Sequence, residues 1–376
     1  MSTRDGHGLE QSMSPARPER DLSGALSLSI EGITFIGNIF PILVIFCVKK
    51  STDRTVTDIL IGALAFTDIL AVLAPLPVSL PTFICQDRWK KGPAACHYYQ
   101  FCVFWLQNVA SLLVIAMSME RVFALAMPLR YKSWSKRYRV YLTIAGIFLS
   151  TFVVSCLPLF GLAPDVMPVK GGRSPFCRSW ASARSDTWYQ SVFPLVLIVE
   201  FWTNMLIVLI LNSFLVFYLV RFGRKLKPSS GTDKIPGDKI VNGNCQIDRR
   251  DFYEFSKLVV VVAVLFYCTW LPVLVVMTLT QSGYFVSELV AVYALISTTL
   301  NGLFNPFIYL VLSRQYRDGY VVILTKLWRF CCPAQISEKC CCNYPKDTLN
   351  ERHLSDIKLT ASPPAPNEII IKITVI

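Results

Sequence analysis

The chain has 376 residues, of which 53% are hydrophobic and only 16% charged, and its net charge is +12. Soluble chains carry about a quarter of their residues as charges, so this one has too few to cover a water-exposed surface of that size. The mean hydropathy is +0.47, and the apolar residues cluster in blocks long enough to cross a ~30 Å hydrocarbon core as helices. An all-α, polytopic membrane protein is predicted.

Residues 1–20 mix Arg, Glu, Asp and Pro with no apolar core. No cleavable signal peptide is expected there, and the first span itself serves as signal anchor. The apolar blocks place spans at 26–48, 56–83, 96–125, 141–162, 188–219, 258–279 and 288–312. The predicted organisation is an extracellular N-terminus at 1–25, a seven-helix bundle at 26–312, a short amphipathic eighth helix at 313–332 and a disordered cytoplasmic tail at 333–376. Orientation follows from Lys and Arg: the segments on the N-terminal side carry ten, Lys170, Arg173 and Arg178 among them, and the other side about twice as many. The N-terminus is therefore read as outside and the tail as inside, in the plasma membrane. The basic excess is topology and contact with anionic lipid rather than nucleic-acid binding.

Polar groups inside the spans are expensive in lipid and mark function. Span one carries Asn38 in "GITFIGNIF", and span two carries Asp68 in "LAFTDIL". Span three opens at Cys96 and ends in "MSMERVFALAMPLRY", where Glu120 and Arg121 stand side by side. Span five holds Glu200, span six holds Trp270 beside Pro272, and span seven holds Asn301 and Asn305 before Pro306. Asn38, Asp68, Asn301 and Asn305 are expected at similar depth as a connected polar cluster. Pro272 and Pro306 each free a backbone carbonyl one turn earlier and hinge their helices.

The thirteen cysteines sort by compartment. Cys96 and Cys177 both face the oxidising side, where a disulfide would tie the loop between spans four and five to span three; Cys85 is an alternative partner. Cys47, Cys102, Cys156 and Cys268 are read as small core residues. Cys331 and Cys332 follow the amphipathic stretch and are candidates for S-palmitoylation. No metal or cofactor is expected. The three histidines are not paired for a metal and no nucleophile–base pattern appears, so an enzyme is disfavoured. No internal duplication supports a transporter.

Glu120–Arg121, Asn38, Asp68, Cys96 with Cys177, "TWLP" and "NPFIY" resemble, in kind, span and order, the signature set of rhodopsin-like G-protein-coupled receptors. The resemblance covers about residues 26 to 330. It implies that the acid holds Arg121 at rest and releases it to a heterotrimeric G protein when span six swings outward. The implied switch residues are Asp68, Glu120, Arg121, Trp270, Pro272, Asn301, Asn305, Pro306 and Tyr309, with arrestin as a second cytosolic partner. Val122 stands where Tyr is usual, and span four lacks the family's common Trp.

Within that family, "CLPLFGLAPDV…SPFCRSW", "MSMER" and Asp68 with Pro77 in "LAPLPVSL" are most similar to the prostanoid receptors. That similarity implies a lipid mediator, with a peptide or other small molecule as the alternative. Two residues depart from it: Ile296 occupies the place of the carboxylate-binding Arg, and Asn305 that of the Asp. Val103 stands where aminergic receptors carry Asp, and Thr299 where opsins carry Lys. The remaining pocket candidates are Tyr98, Tyr99, Gln107, Glu200, Trp202 and Trp270, with Arg178 as the first candidate for a ligand carboxylate. Finally, Thr374, Val375 and Ile376 fit the Ser/Thr-x-aliphatic pattern read by PDZ domains.

Overall fold

A computed structural model of the chain describes residues 17–85, 92–127, 130–131, 136–164, 180, 187–226 and 242–331, and every regular element among them is helical. Seven helical segments are long and apolar enough to cross a membrane: Ala25–Val48, Val56–Pro81, Pro93–Ala126, Arg137–Phe160, Tyr189–Arg221, Ser256–Gln281 and Tyr293–Leu312. These are spans one to seven. An amphipathic helix, Arg314–Cys331, follows span seven. The first helix starts earlier than expected, at Arg17.

Span three is the central element, packed against spans two, four, five and six; span seven closes the ring against spans six, one and two. The buried core contains Leu64, Val109, Leu113, Val208, Val262 and Phe266. Large apolar side chains also cover the outside: Ile33, Leu149, Val199, Leu206, Val264 and Val311 are all exposed. In water such a surface would aggregate; in a bilayer it is the lipid-facing side. Cys47 and Cys268 lie on exposed positions and so are not core residues, whereas Cys102 is buried. A small apolar thiol is tolerated equally on either side, which is why its residue type does not reveal the face.

Prolines set the irregularities, and neighbouring spans bond to carbonyls at or next to them. Span two is predicted as one helix but breaks into Val56–Leu73 and Leu76–Cys85. Pro75 has no N–H and its ring clashes with the preceding turn. Val78 bonds back to the Pro75 carbonyl, and the Tyr98 hydroxyl donates to the Ala74 carbonyl at 2.9 Å. In span seven Pro306 cannot bond the Gly302 carbonyl, which receives the Asn38 side-chain amide at 2.9 Å. The Ser297 hydroxyl of span seven donates to the Thr269 carbonyl of span six at 2.8 Å, beside Cys268, whose carbonyl Pro272 frees. Each break is thus also a contact between spans.

The amphipathic helix lays Tyr316, Tyr320 and Ile323 inward, all buried, at the i, i+4, i+7 spacing of one helical face. Gly319 lies on the same side, where an added Cβ would stand 2.7 Å from Val44 of span one. Only glycine permits that approach.

Candidate functional site

At one end of the bundle, Arg121 Nε lies 2.7 Å from Glu120 Oε2, with both side chains under a tenth exposed. The Glu120 carboxylate accepts two further hydrogen bonds, from Thr57 Oγ1 of span two at 3.2 Å and from the Tyr131 hydroxyl just beyond span three. Burial, reinforced by the Glu120 charge, pushes the Tyr131 hydroxyl above its ordinary range, so it stays a donor. The acid therefore pairs with the arginine inside a nest fixed by two hydroxyl donors. Thr57 and Tyr131 escaped the sequence reading, although Tyr131 closes the very stretch that carries the pair.

Beside this nest lies a second ion pair that the sequence reading also missed. Lys49 Nζ is 2.7 Å from Asp58 Oδ1, whose side chain is fully buried. Asp58 also accepts from the Tyr316 hydroxyl at 3.0 Å and from the Thr55 backbone N–H at 2.9 Å, while Lys49 donates to Gln315 at 2.9 Å. Thr55 and Asp58 form the capping box that starts span two. The available signal was "TVTD", a Thr-x-x-acid cap, preceded by basic residues at the end of span one. Burial first, then the Asp58 charge, raises the Tyr316 hydroxyl well above its ordinary range and keeps it protonated.

Deeper in the bundle, Asn305 donates to Asp68 Oδ2 at 2.9 Å, and an added Cβ on Gly302 would stand 3.0 Å from Asp68 Oδ1. Asn38 joins through the Gly302 carbonyl rather than through Asp68 itself. Span seven is thus the common partner of spans one and two. Asn301 is buried beside them at 3% exposure. Tyr309 is fully buried, its ring 5.7 Å from Tyr316, and its hydroxyl has no hydrogen-bond partner among the described residues.

Trp270 is buried and stacks on Phe201 of span five, with ring centroids 4.6 Å apart. Among the pocket candidates, Tyr99, Val103, Gln107, Glu200 and Ile296 are half-buried. Gln107 donates to Thr298 of span seven at 2.7 Å, and Asn108 donates to Glu200 of span five at 3.2 Å. Thr299 is exposed and donates to the Ile296 carbonyl, so its neighbour Thr298 takes the inward position. One residue is a rotation of about 100° on a helix, enough to exchange the two faces. Trp202 bonds Thr278 of span six at 3.2 Å. Pro77 lies in the second helix of span two. Glu31, overlooked in the sequence, shares the inward stripe of span one with Thr34 and Asn38, and its buried Oε2 has no hydrogen-bond partner among the described residues.

At the opposite end from Arg121, Cys96 is fully buried and disulfide-bonded. Trp180, from the segment between spans four and five, is buried against Phe104 and Phe193 at centroid distances of 5.7 and 5.2 Å. Cys177, Arg178, Cys332, Thr374, Val375 and Ile376 lie outside the described residues, and Cys331 ends the amphipathic helix. Cys96→Ser is expected to lower delivery to the cell surface sharply, since losing a native disulfide costs roughly 2–5 kcal/mol. Surface labelling measures this, and normal delivery would deny the bond a structural role. Peptide mapping is expected to join Cys96 to Cys177; a Cys96–Cys85 peptide would replace that pairing.

Residues 37–309 match the family described as 7 transmembrane receptor (rhodopsin family). The chain belongs to that family, which is one of multi-pass membrane receptors. The RYamide receptor of Drosophila melanogaster is 24% identical over 303 residues, 76% of this chain and 60% of the relative. Human growth hormone secretagogue receptor type 1 is 25% identical over 300 residues, 78% of this chain and 77% of the relative. The human prostaglandin E2 receptor EP4 subtype is 28% identical, but over 162 residues, 43% of this chain and 32% of the relative. The chain thus spans less than two thirds of the length of two of these relatives. The similarity is shared across receptors of different names and does not single out the prostanoid branch.

Proposed function

We propose that the chain is a ligand-activated receptor whose Arg121 end faces the cytosol and promotes nucleotide exchange on a heterotrimeric G protein. The observation that carries this reading is the buried Glu120–Arg121 pair. A guanidinium held by one neighbouring acid and poised at the end of a central span has a second state available, in which a partner protein takes it. With the Cys96 end outside, the disulfide lies on the oxidising side and the ligand enters between the spans above Trp270. Arrestin would share the Arg121 face. Palmitate on Cys331 and Cys332 and a PDZ domain on Thr374–Ile376 are further cytosolic attachments that this orientation allows.

A prostanoid-like lipid acid is the ligand that the sequence resemblance favours. Between the Cys96 end and the level of Arg121 the spans contain no Lys or Arg, so a lipid carboxylate would depend on loop bases such as Arg178. The interior instead carries Glu31 and Glu200.

The test is nucleotide exchange on several purified G-protein classes by membranes containing the chain, with a broad ligand panel. Exchange above that of empty membranes is expected for at least one class. Ligand uptake into vesicles without any exchange would replace the receptor by a transporter.

A further inference from the structure

Glu200 stands across from Asn108, which lies about midway along span three between Cys96 and Arg121. A carboxylate at that depth is costly in a bilayer unless something offsets its charge. Its partner among the described residues is a neutral amide, and no span brings a Lys or Arg to that level. Asn108 is itself fully buried, and with its amide nitrogen engaged by Glu200 its Oδ1 has no hydrogen-bond partner among the described residues. Among the described residues, then, the Glu200 carboxylate accepts from the Asn108 amide alone and Asn108 Oδ1 from nothing, which leaves an anionic and a neutral acceptor together between spans three and five with room for a further donor. Phe201, next to Glu200 in the chain, carries the stack onto Trp270. Aromatic faces beside an acid suit a positively charged group.

We propose that Glu200 and Asn108 form the recognition site for a cationic nitrogen of the ligand, an ammonium or guanidinium that donates to the Glu200 carboxylate and to Asn108 Oδ1. This rests on the receptor reading above and names its ligand class: a molecule carrying a positive charge on an amine or a basic side chain, not a lipid acid. The Glu31 carboxylate of span one adds to the negative interior. The same chemistry is offered by a small amine and by a basic peptide, and the experiment separates the two.

Purified full-length receptor in detergent is heated with three sets of probes: small arylalkylamines such as phenethylamine, short amidated peptides containing lysine or arginine, and arachidonate. At least one cationic set is expected to raise the unfolding temperature in a saturable way, and which set does so identifies the source of the nitrogen. Glu200→Gln should weaken that probe about tenfold or more, and Glu200→Asp, which keeps the charge, should recover part of the loss. A Gln variant that unfolds near the wild-type temperature without ligand shows that folding is intact; if it does not, the Asp variant carries the comparison. Stabilisation by arachidonate alone, no stabilisation by any cationic probe, or equal binding to wild type and both variants would overturn the assignment. Because stabilisation needs no G protein, these outcomes are independent of the exchange assay that tests the receptor reading.

Discussion

Arg121→Ala is expected to abolish agonist-driven nucleotide exchange while leaving surface delivery near wild type. The guanidinium is buried at the end of span three, ion-paired to Glu120; its removal takes away the group offered to the G protein, while the acid left behind keeps the Thr57 and Tyr131 hydroxyls as donors. Glu120→Gln should do the opposite. It removes the charge that holds Arg121 but keeps the side chain's shape and its place beside Thr57 and Tyr131. A charge-assisted contact of this kind is worth roughly 1.5–3 kcal/mol, or about a tenfold to hundredfold change in the ratio of resting to active states. Basal exchange should rise accordingly. The two variants together discriminate: a pair that served only as a membrane anchor would leave exchange unchanged in both. Normal coupling by Arg121→Ala would remove the proposed switch.

Asp58→Ala should cost more stability than any other single polar change at the same end of the bundle. Its carboxylate is shared by the Lys49 ammonium, the Tyr316 hydroxyl and the first turn of span two, with no exposed surface of its own. Breaking a buried pair by removing one partner costs roughly 3–5 kcal/mol, because the other charge loses its compensation. Asp58→Asn keeps the shape and the cap but not the charge and should fall between. Tyr316→Phe removes one hydrogen bond and should cost about 1 kcal/mol. Thermal unfolding of the detergent-solubilised receptor measures the series, and the expected order is Ala, then Asn, then Phe. If Asp58→Ala unfolds at the wild-type temperature, the buried pair is not an anchor for the amphipathic helix.

The seven spans and the amphipathic helix were legible in the sequence because lipid imposes a simple rule: each crossing must be long, apolar and hydrogen-bonded within itself. The Glu120–Arg121 pair was legible for a related reason, since charge near a membrane span is rare enough to stand out. The same rarity exposed Asp68, Asn305 and Glu200. What the sequence could not state was which neighbour bonds to the backbone around each proline. Asn38 reads as one of a polar cluster with Asp68 until span seven presents the Gly302 carbonyl to it, and Tyr98 reads as a pocket residue until span two breaks at Pro75. Thr298 and Thr299 are indistinguishable by type and differ only in rotation about the helix. Lys49 and Asp58 each read as ordinary residues at the edge of a span; the amphipathic helix brings Tyr316 and Gln315 to them from the far end of the chain. Local composition and periodicity therefore determined the membrane-spanning elements and the charged candidates. Pairing depended on distances between spans far apart in the chain, and only the tertiary packing sets those.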